Sequence, residues 1–384
     1  MTDSQQPSLD ASLSALREQI DEVDSALVDL LKRRTDITTK VGQLKSKHAK
    51  PVYVPERERA LIQARREQAE QAGINPDLIE DILRRTFRES YHSQHAEYAR
   101  VNPNLNRVVV VGGNGALGKV FVNLFAQSSY DVSVLDKDDW DKAESLLADA
   151  ELVIIAVPIN KTESVIDTLP KLPKNCILAD ITSVKTKPLA AMLRKHSGPV
   201  VGLHPMFGPD APGMIKQVVV VCHGRGQTQY AWFLEQMKLW GASLHISQAD
   251  THDKAMSIIQ VMRHFSSFVY GLHLCNEDPD INELMAFSSP IYRLELAMVG
   301  RLFAQAPELY ADIIFENSEN VQLLERFIER YTDSTELLKQ SDKAKFIAQF
   351  KTVSEWFGDY ASQCLADSKQ MLLKADDSHL LRKK

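Results

Sequence analysis

The spacing of apolar residues divides this chain of 384 residues into three regions. In the first region, residues 8–99, apolar side chains recur every three or four positions, which predicts helices only. The first helix keeps this spacing for about 40 residues, or about 60 Å. A small domain cannot bury so long a stripe, so the pattern predicts pairing with a copy of the same helix. The stripe consists of Leu9, Leu13, Leu16, Ile20, Val23, Leu27, Leu30, Ile37, Val41 and Leu44.

Two shorter helices are predicted after the first one. The segment KHAKPVYVPE interrupts the helical pattern, and a second helix is predicted over 56–72. The sequence GINP at 73–76 predicts a helix end and a new start, because glycine suits the former and proline the latter. A third helix is predicted over 76–99, and VNPNLN at 101–106 is typical of a linker.

Strand-length apolar runs alternate with helical stretches in the second region, which predicts a mostly parallel sheet covered on both faces. From about Ala249 to about Lys374 the pattern predicts long helices. We therefore expect a multidomain fold, with an all-α domain at 1–100, an α/β Rossmann domain at 101–248 and an all-α domain at 249–384. The predicted strands lie at 107–111, 131–136, 151–157, 176–180, 199–203, 217–222 and 242–246.

Composition and charge narrow the class of protein. A net charge of −6 favours neither nucleic acid nor an anionic membrane as a partner. The four cysteines lie far apart, which suggests neither a zinc site nor a disulfide framework, and no other metal site is predicted. The polar N-terminus MTDSQQPSLDASL lacks the apolar core of a signal peptide, and the longest apolar runs are too short to span a membrane. We expect a cytoplasmic protein.

A glycine motif follows the first predicted strand, in the segment VVVVGGNGALGK. Gly113, Gly115 and Gly118 have the G-x-G-x-x-G spacing between a buried strand and an amphipathic helix. In that context the glycines permit a tight turn, backbone approach to a pyrophosphate and close helix packing. Helix N-terminal amides then face the phosphates. The predicted cofactor-binding residues of this turn are Gly113, Asn114, Gly115, Ala116, Leu117 and Gly118.

Two later segments complete the predicted cofactor site. Asp136 ends the second strand and is placed to bind a ribose 2′-hydroxyl, which favours NAD over NADP. Lys137 follows it and weakens that preference. Val157 and Pro158 leave the third strand, where backbone often lies under the nicotinamide ribose. The alternative for this pair is a simple strand exit with proline as the breaker.

His204 is the candidate catalytic base. It lies at the C-terminal end of a predicted strand in PVVGLHPMFGPDAPG, where ligands bind in open α/β sheets. A histidine there can accept a proton from a substrate hydroxyl at neutral pH. Ser183, in DITSVK, is placed to orient the imidazole or to contact the cofactor. The alternative is a structural loop histidine.

Candidate residues in the helical third region are less specific. His252 and His264 are separated by 12 residues on a predicted helix, so they point to different faces and a shared metal is not expected. His264 is predicted either to face a substrate or regulatory ligand or to be an ordinary helix histidine. Arg293 and Arg301 lie in a mostly apolar helix and are suited to bind carboxylates, or to form ordinary salt bridges.

Five segments resemble a known family: LREQIDEVD, YVPERE, VVVVGGNGALG, GLHPMFGPD and SSPIYRLELAMVGRLFAQ. Residues 9–99 resemble the helical chorismate mutase domain, and residues 107 to about 372 resemble prephenate dehydrogenase. Together they resemble the bifunctional chorismate mutase–prephenate dehydrogenases of tyrosine biosynthesis. The resemblance implies rearrangement of chorismate to prephenate, then oxidative decarboxylation of prephenate with NAD to 4-hydroxyphenylpyruvate and carbon dioxide.

The resemblance also implies roles for residues of the mutase domain. Lys45 and Gln94 match the donors to the breaking ether oxygen, and Glu58 matches the residue that binds the ring hydroxyl. Arg34 and Lys45 are eleven residues apart and share a helix face, whereas Arg17 lies about 100° away from Arg34. The family interlocks two chains in a homodimer, so that Arg17 serves the partner's site. The residues that match carboxylate-binding arginines are Arg17, Arg34 and Arg57, and Ser90 matches a further site contact.

In the dehydrogenase region, His204 matches the base that takes the ring-hydroxyl proton, and Ser183 matches a residue near it. Arg293 and Arg301 match positions of the prephenate site, and which of them takes the ring carboxylate is left open. His264 matches a position linked to tyrosine feedback, so tyrosine is the expected inhibitor. The C-terminal helices match the family's dimerisation region.

Two other interpretations compete with the bifunctional enzyme. One is a prephenate or arogenate dehydrogenase, or an NADP-using one, with an inert mutase-like domain. The set Arg17, Arg34, Lys45, Arg57 and Glu58 argues against it. The other is a non-catalytic sensor of an aromatic ligand, which retention of the histidine loop argues against.

Overall fold

The computed structural model describes residues 9–48, 50–93, 97–208, 211, 213–316 and 319–380. They form two compact units. The first unit combines Met1–Val157 with Lys161–Ala249, and the second combines Pro158–Asn160 with Asp250–Lys384. The helical N-terminal region therefore clusters with the sheet, and the C-terminal helices form a unit of their own.

The N-terminal region consists of helices α1 (Leu9–Lys47), α2 (Pro55–Gln71) and α3 (Pro76–Ser93). Helix α1 has 39 residues, which confirms the predicted length. All ten predicted stripe residues are exposed, from Leu13 at 39% to Leu9 at 75%. Helices α2 and α3 pack against each other as a hairpin and each begins with proline, which suits the first helical turn.

The third helix is shorter than predicted. Its described part is Pro76–Ser93, and residues 97–99, which the periodicity placed in the helix, have irregular backbone. Tyr98 lies in irregular backbone, is only 5% exposed and packs in the core of the neighbouring sheet domain. Its backbone N–H donates to the carbonyl of Gln127 at 3.0 Å. Burial of this tyrosine against the sheet domain outweighs the local helical pattern.

The central domain contains the predicted seven-stranded sheet, with strand order β2-β1-β3-β4-β5-β6-β7. Every neighbouring pair is parallel except β5 and β6, which are antiparallel. The covering helices are α4 (Ala116–Gln127), α5 (Ala143–Leu147), α6 (Ile159–Thr168), α7 (Thr186–Lys195) and α8 (Gln227–Leu239). The strands are β1 (Arg107–Val111), β2 (Asp131–Leu135), β3 (Leu152–Ile155), β4 (Ile177–Asp180), β5 (Val200–Pro205), β6 (Val218–Arg225) and β7 (Ser243–Ser247).

Both faces of this sheet are buried, as the continuous apolar runs predicted. Val108 and Val110 of β1 belong to one core cluster, and Val109 and Val111 belong to the other. Strand β1 lies between β2 and β3, so the chain leaves it toward one edge of the sheet and then returns to its other side. That change of direction opens a crevice beyond the carboxyl ends of the strands, which is where such sheets bind ligands.

The second unit is helical in its described residues. A π-helical turn, Ser257–Met262, lies between α9 (Ala249–Met256) and α10 (Arg263–Glu277). The small core of the second unit contains Val261, Ile313 and Leu324. Among the helices of the described residues, none is both long and apolar enough to cross a membrane. The remaining helices are α11 (Ile281–Phe287), α12 (Pro290–Phe303), α13 (Pro307–Phe315), α14 (Glu319–Lys339), α15 (Lys343–Phe357) and α16 (Asp359–Leu380).

Candidate active sites

The glycine turn joins β1 to α4 and forms a narrow cradle. Gly112 has φ +82°, a conformation that favours glycine, and its N–H donates to the Leu135 carbonyl at 2.8 Å. A Cβ on Gly112 would lie 2.6 Å from the Ala156 carbonyl oxygen. The sequence motif begins one residue later, at Gly113, and therefore missed this position. The doubled glycine directly after the valine run was the available signal.

The start of α4 is suited to bind an anion. Gly115 is its N-cap residue, and in the described structure no side chain caps the first backbone amides. Those amides are therefore available to a phosphate, as at other helix N-termini. Asn114, Gly115 and Ala116 are exposed at this turn.

Asp136 lies directly beside the turn, after β2. Its Oδ2 accepts from the Asn114 N–H at 3.2 Å, and its Oδ1 accepts from the Lys137 N–H at 2.9 Å. A carboxylate held next to the phosphate-binding turn fits the ribose hydroxyls of a dinucleotide. Val157 follows β3, and its Cγ1 would lie 3.0 Å from a Cβ on Gly112, so it lines the same cradle. Pro158 belongs to the second unit.

His204 lies near the C-terminal end of β5. It is 4% exposed and pairs with Val220 of the antiparallel strand β6. Ser183 lies in the loop after β4, the neighbouring strand, and its buried Oγ has no hydrogen-bond partner within the described residues. A buried hydroxyl without a partner is unfavourable unless a ligand or another group satisfies it. The role of Ser183 beside His204 therefore stays a prediction.

A buried charge pair lies beneath His204, and sequence reasoning missed it. Lys185 donates to the Asp180 carboxylate and, at 2.7 Å, to the backbone carbonyl of Leu203, the residue before His204. The Thr182 hydroxyl also donates to Asp180. Because Lys185 and Asp180 are fully buried, this network fixes β4 and β5 at their carboxyl ends. A carboxylate ending an otherwise apolar strand was the signal that could have found it.

A second cluster of polar residues lies between α1, α2 and α3. Arg34 donates to the Ser90 hydroxyl at 2.7 Å and lies over the Phe87 ring, 5.3 Å from its centroid. Glu58 is 9% exposed and accepts from the Tyr91 hydroxyl at 2.7 Å. The structure thus brings three predicted residues together on facing helices. Tyr91, which the sequence analysis did not single out, joins them.

The cations of this cluster are partly desolvated. Burial lowers the pKa of the Arg34 guanidinium. The pKa of Lys45 is also lowered, first by burial and then by the positive charge of Arg57. The Lys45 ammonium donates to the Val52 carbonyl at 2.9 Å, just before α2. Arg17 and Arg57 are exposed, and Gln94 lies outside the described residues.

Three predicted residues of the second unit, His264, Arg293 and Arg301, lie on two packed helices, α10 and α12. The His264 ring meets Tyr310 edge-on at 4.8 Å, and its buried Nδ1 has no hydrogen-bond partner in the described chain. Burial, then the charge of Arg263, lowers the pKa of His264 to about 4, so the imidazole is neutral at neutral pH. Arg293 donates to the Ser288 carbonyl at 3.0 Å, and Arg301 is exposed.

Comparison with known proteins covers all three regions. The chorismate mutase type II family matches residues 16–95, the prephenate dehydrogenase nucleotide-binding domain matches 126–223, and its dimerization domain matches 248–352. The T-protein of Enterobacter agglomerans is 53% identical over 369 residues, which cover 96% of this chain and 99% of that protein. The T-protein of Haemophilus influenzae is 48% identical over 368 residues, covering 95% and 98%.

The chain belongs to the T-protein family. It is a bifunctional enzyme of tyrosine biosynthesis, with chorismate mutase and NAD-dependent prephenate dehydrogenase activities. The mutase match and the near-complete coverage favour this function over a dehydrogenase with an inert first domain and over a non-catalytic sensor.

A solved structure supports the fold of the dehydrogenase part. The crystal structure of prephenate dehydrogenase from A. aeolicus in complex with hydroxyphenyl propionate and NAD+ has a TM-score of 0.54 at 16% identity. It covers 65% of this chain and 96% of that chain. At this identity the likeness concerns the fold alone, which agrees with the nucleotide-binding sheet and the C-terminal helices described above.

The T-protein glycine turn leads to a first prediction. A Cβ on Gly118 would overlap the Gly112 carbonyl oxygen, so Gly118→Ala must push α4 away from β1. We expect the free energy of unfolding to fall by about 1–3 kcal/mol and NAD binding to weaken, as the helix amides move off the phosphates. Thermal unfolding and an NAD fluorescence titration measure both effects.

Gly300→Ala is the matched control. Gly300 also lies within a helix, α12, but a Cβ there has no neighbouring atom within 4 Å in the described structure. Alanine should therefore stabilise α12 by about 0.5–1 kcal/mol and leave NAD binding unchanged. Equal effects of the two substitutions would contradict the packing argument.

Proposed function

We propose that the two activities use separate sites, with the mutase site between α1, α2 and α3. The rearrangement needs neither nucleophile nor cofactor, so catalysis rests on holding the reactive conformer and on stabilising charge at the ether oxygen. Lys45 and Gln94 donate to that oxygen. Arg34 and Arg57 bind the substrate carboxylates, Glu58 accepts from the ring hydroxyl, and Ser90 contacts the substrate.

The observation that carries this proposal is the cluster of Arg34, Ser90, Glu58 and Tyr91 on facing helices. Two partly desolvated cations and a buried carboxylate within one helical region match the needs of a dianion that carries one hydroxyl. In a partly dehydrated site each charge interaction is stronger than in water, which suits Lys45 for an oxygen that becomes negative only in the transition state.

For the dehydrogenase site we propose His204 as the base that takes the proton of the prephenate ring hydroxyl. NAD supplies the hydride acceptor. As the hydroxyl becomes a carbonyl, the ring carboxylate leaves as carbon dioxide and the ring becomes aromatic. Ser183 orients the His204 imidazole or contacts the cofactor. The cofactor-binding residues are Gly113, Asn114, Gly115, Ala116, Leu117, Gly118, Asp136, Val157 and Pro158.

Residues of the second unit complete the proposal. Arg293 and Arg301 serve the prephenate carboxylates, because guanidinium groups bind carboxylates bidentately. Tyrosine acts as a feedback inhibitor through the region of His264. The neutral imidazole and the Tyr310 ring beside it provide a hydrogen-bonding group and an aromatic face, which fit an aromatic amino acid.

We also propose that two chains interlock through α1. The exposed apolar stripe on this helix is longer than its own domain can cover, and a second copy of α1 would bury it. Arg17 is exposed on the same helix, and in such a dimer it reaches the partner's site. The match to a dimerization domain at 248–352 supports a homodimer. The proposal adds a contact between the two chains through α1.

Complementation between two inactive chains tests both the site and the interlocking. Arg17→Ala and Lys45→Ala should each remove mutase activity, yet mixed dimers regain it, because one site then combines the intact Lys45 and Arg17. With random mixing half of the dimers are mixed, each with one intact site of two, so about one quarter of wild-type activity should return on co-expression. No recovery above the separate variants would contradict the exchange of Arg17.

We also propose a cellular location for the enzyme and limits for its three domains. We place the enzyme in the cytoplasm, since in the described structure all four cysteines carry thiols rather than disulfides, which is typical of a reducing compartment. We keep domain limits at 1–100, 101–248 and 249–384.

A further inference from the structure

One residue of the nucleotide-binding domain contacts the mutase site. Lys216 lies in the connection between β5 and β6, and its ammonium is 2.5 Å from Oε1 of Glu58 on α2. The two residues are 158 positions apart. The other carboxylate oxygen of Glu58, Oε2, accepts from Tyr91. Each oxygen of Glu58 is therefore held by a different partner, one from the mutase helices and one from the neighbouring domain.

The surroundings of the Lys216 ammonium are built for a cation. It lies over the rings of Tyr53 and Tyr91, 5.1 Å and 5.5 Å from their centroids. These two rings meet edge to face at 6.0 Å. The Glu58 side chain is only 8% exposed and that of Lys216 is 33% exposed. A carboxylate and two aromatic faces thus hold one partly dehydrated ammonium, where both kinds of attraction are stronger than in water.

The backbone of Lys216 is strained. Its φ is +62°, in the left-handed region, where the Cβ of an L-residue comes too close to the following carbonyl oxygen. The Lys216 N–H donates to the Gly241 carbonyl at 2.9 Å, which helps to hold this conformation. Glycine would meet the backbone requirement with less strain. A lysine here is therefore explained by its side chain, not by its backbone.

We propose that Lys216 is a positioning residue of the mutase site, supplied by the dehydrogenase domain of the same chain. It fixes the Glu58 carboxylate in one orientation, so that its remaining lone pairs face the chorismate ring hydroxyl. This inference rests on the proposed role of Glu58. It makes the mutase activity dependent on the contact between the two domains, although the rearrangement itself needs no dehydrogenase chemistry.

Lys216→Gly in the full-length enzyme tests the proposal. It removes the ammonium and at the same time relieves the left-handed backbone, so the fold is not penalised there. We expect kcat/KM for chorismate to fall about tenfold, mainly through KM, because the ring hydroxyl is bound in both the ground state and the transition state. The rate with prephenate and NAD should stay within about twofold of wild type, and Lys216→Arg should restore most of the loss.

Ser129→Gly is the matched backbone control. Ser129 is exposed, lies in the same domain and has φ +59°, so this substitution relieves the same kind of strain far from Glu58 in sequence. It should leave both activities unchanged. Two results would show that Lys216 only joins the domains and that the proposal is wrong. One is that Lys216→Gly lowers both activities together. The other is that it lowers the unfolding temperature below that of Ser129→Gly and has no selective effect on mutase activity.

A double-mutant comparison separates this inference from the function on which it rests. If Lys216 acts through Glu58, Lys216→Gly adds little to Glu58→Gln. Independent, additive losses would overturn the positioning role. Full mutase activity in Glu58→Gln would overturn the proposed mutase site itself. If Glu58→Gln loses mutase activity but Lys216→Gly keeps it, only the inference about Lys216 is overturned.

Discussion

Replacing His204 by asparagine is expected to lower kcat for prephenate oxidation by about 10²–10⁴-fold, while chorismate is still rearranged at the wild-type rate. Asparagine keeps a hydrogen-bonding side chain of similar reach, but it cannot accept the proton of the ring hydroxyl. His204 is buried on β5 next to the fixed Leu203 carbonyl, so the loss should come from proton transfer and not from a misplaced strand.

The measurement is NADH formation from prephenate under saturating NAD, with NAD affinity determined separately by titration. His245→Asn is a suitable control, because His245 is an exposed histidine on β7 of the same sheet. The control should keep full activity in both assays. A His204→Asn enzyme that oxidises prephenate at the wild-type rate would show that another group takes the proton.

The second large effect concerns Lys45. Lys45→Ala should lower kcat/KM for chorismate by about 10²–10³-fold, the usual cost of losing one donor to an oxygen that gains charge in the transition state. Its ammonium is partly buried near Arg57 and lies next to the segment before α2, which places it inside the helical cluster. Prephenate oxidation should be unchanged, because it needs none of these residues.

Lys32→Ala provides the comparison for Lys45→Ala. Lys32 lies on the same helix, but it is 75% exposed and pairs with Asp36. Its loss should cost at most about 1 kcal/mol of stability and leave the mutase rate intact. Similar mutase losses in the two variants would mean that the net charge of α1, and not a specific donor, supports catalysis.

Local patterns predicted the elements of this protein well. The spacing of leucine and isoleucine predicted α1. The length of the apolar stripe predicted that one small domain would not bury it. The run of valines predicted β1, and consecutive valines do face opposite sides of the sheet. These features depend on residues a few positions apart, and periodicity reports such neighbours directly.

Contacts between distant segments were not predictable in this way. Tyr98 lies in irregular backbone and packs in the core of the sheet domain, and a π-helical turn lies between His252 and His264. Motif spacing pointed to Gly113, although the glycine with positive φ in this turn is Gly112. Nothing near Glu58 in the sequence points to Lys216, because the two meet only after two domains pack. Such pairs depend on tertiary structure, which one sequence without its fold does not reveal.

The most direct measurement is one coupled assay on wild type and the two variants, with no other enzyme added. Chorismate or prephenate is supplied with NAD, and NADH is followed. Wild type should form NADH from both substrates, Lys45→Ala from prephenate only, and His204→Asn from neither while still consuming chorismate. NADH from chorismate in Lys45→Ala at the wild-type rate, or from prephenate in His204→Asn, would contradict two separate sites built on these residues.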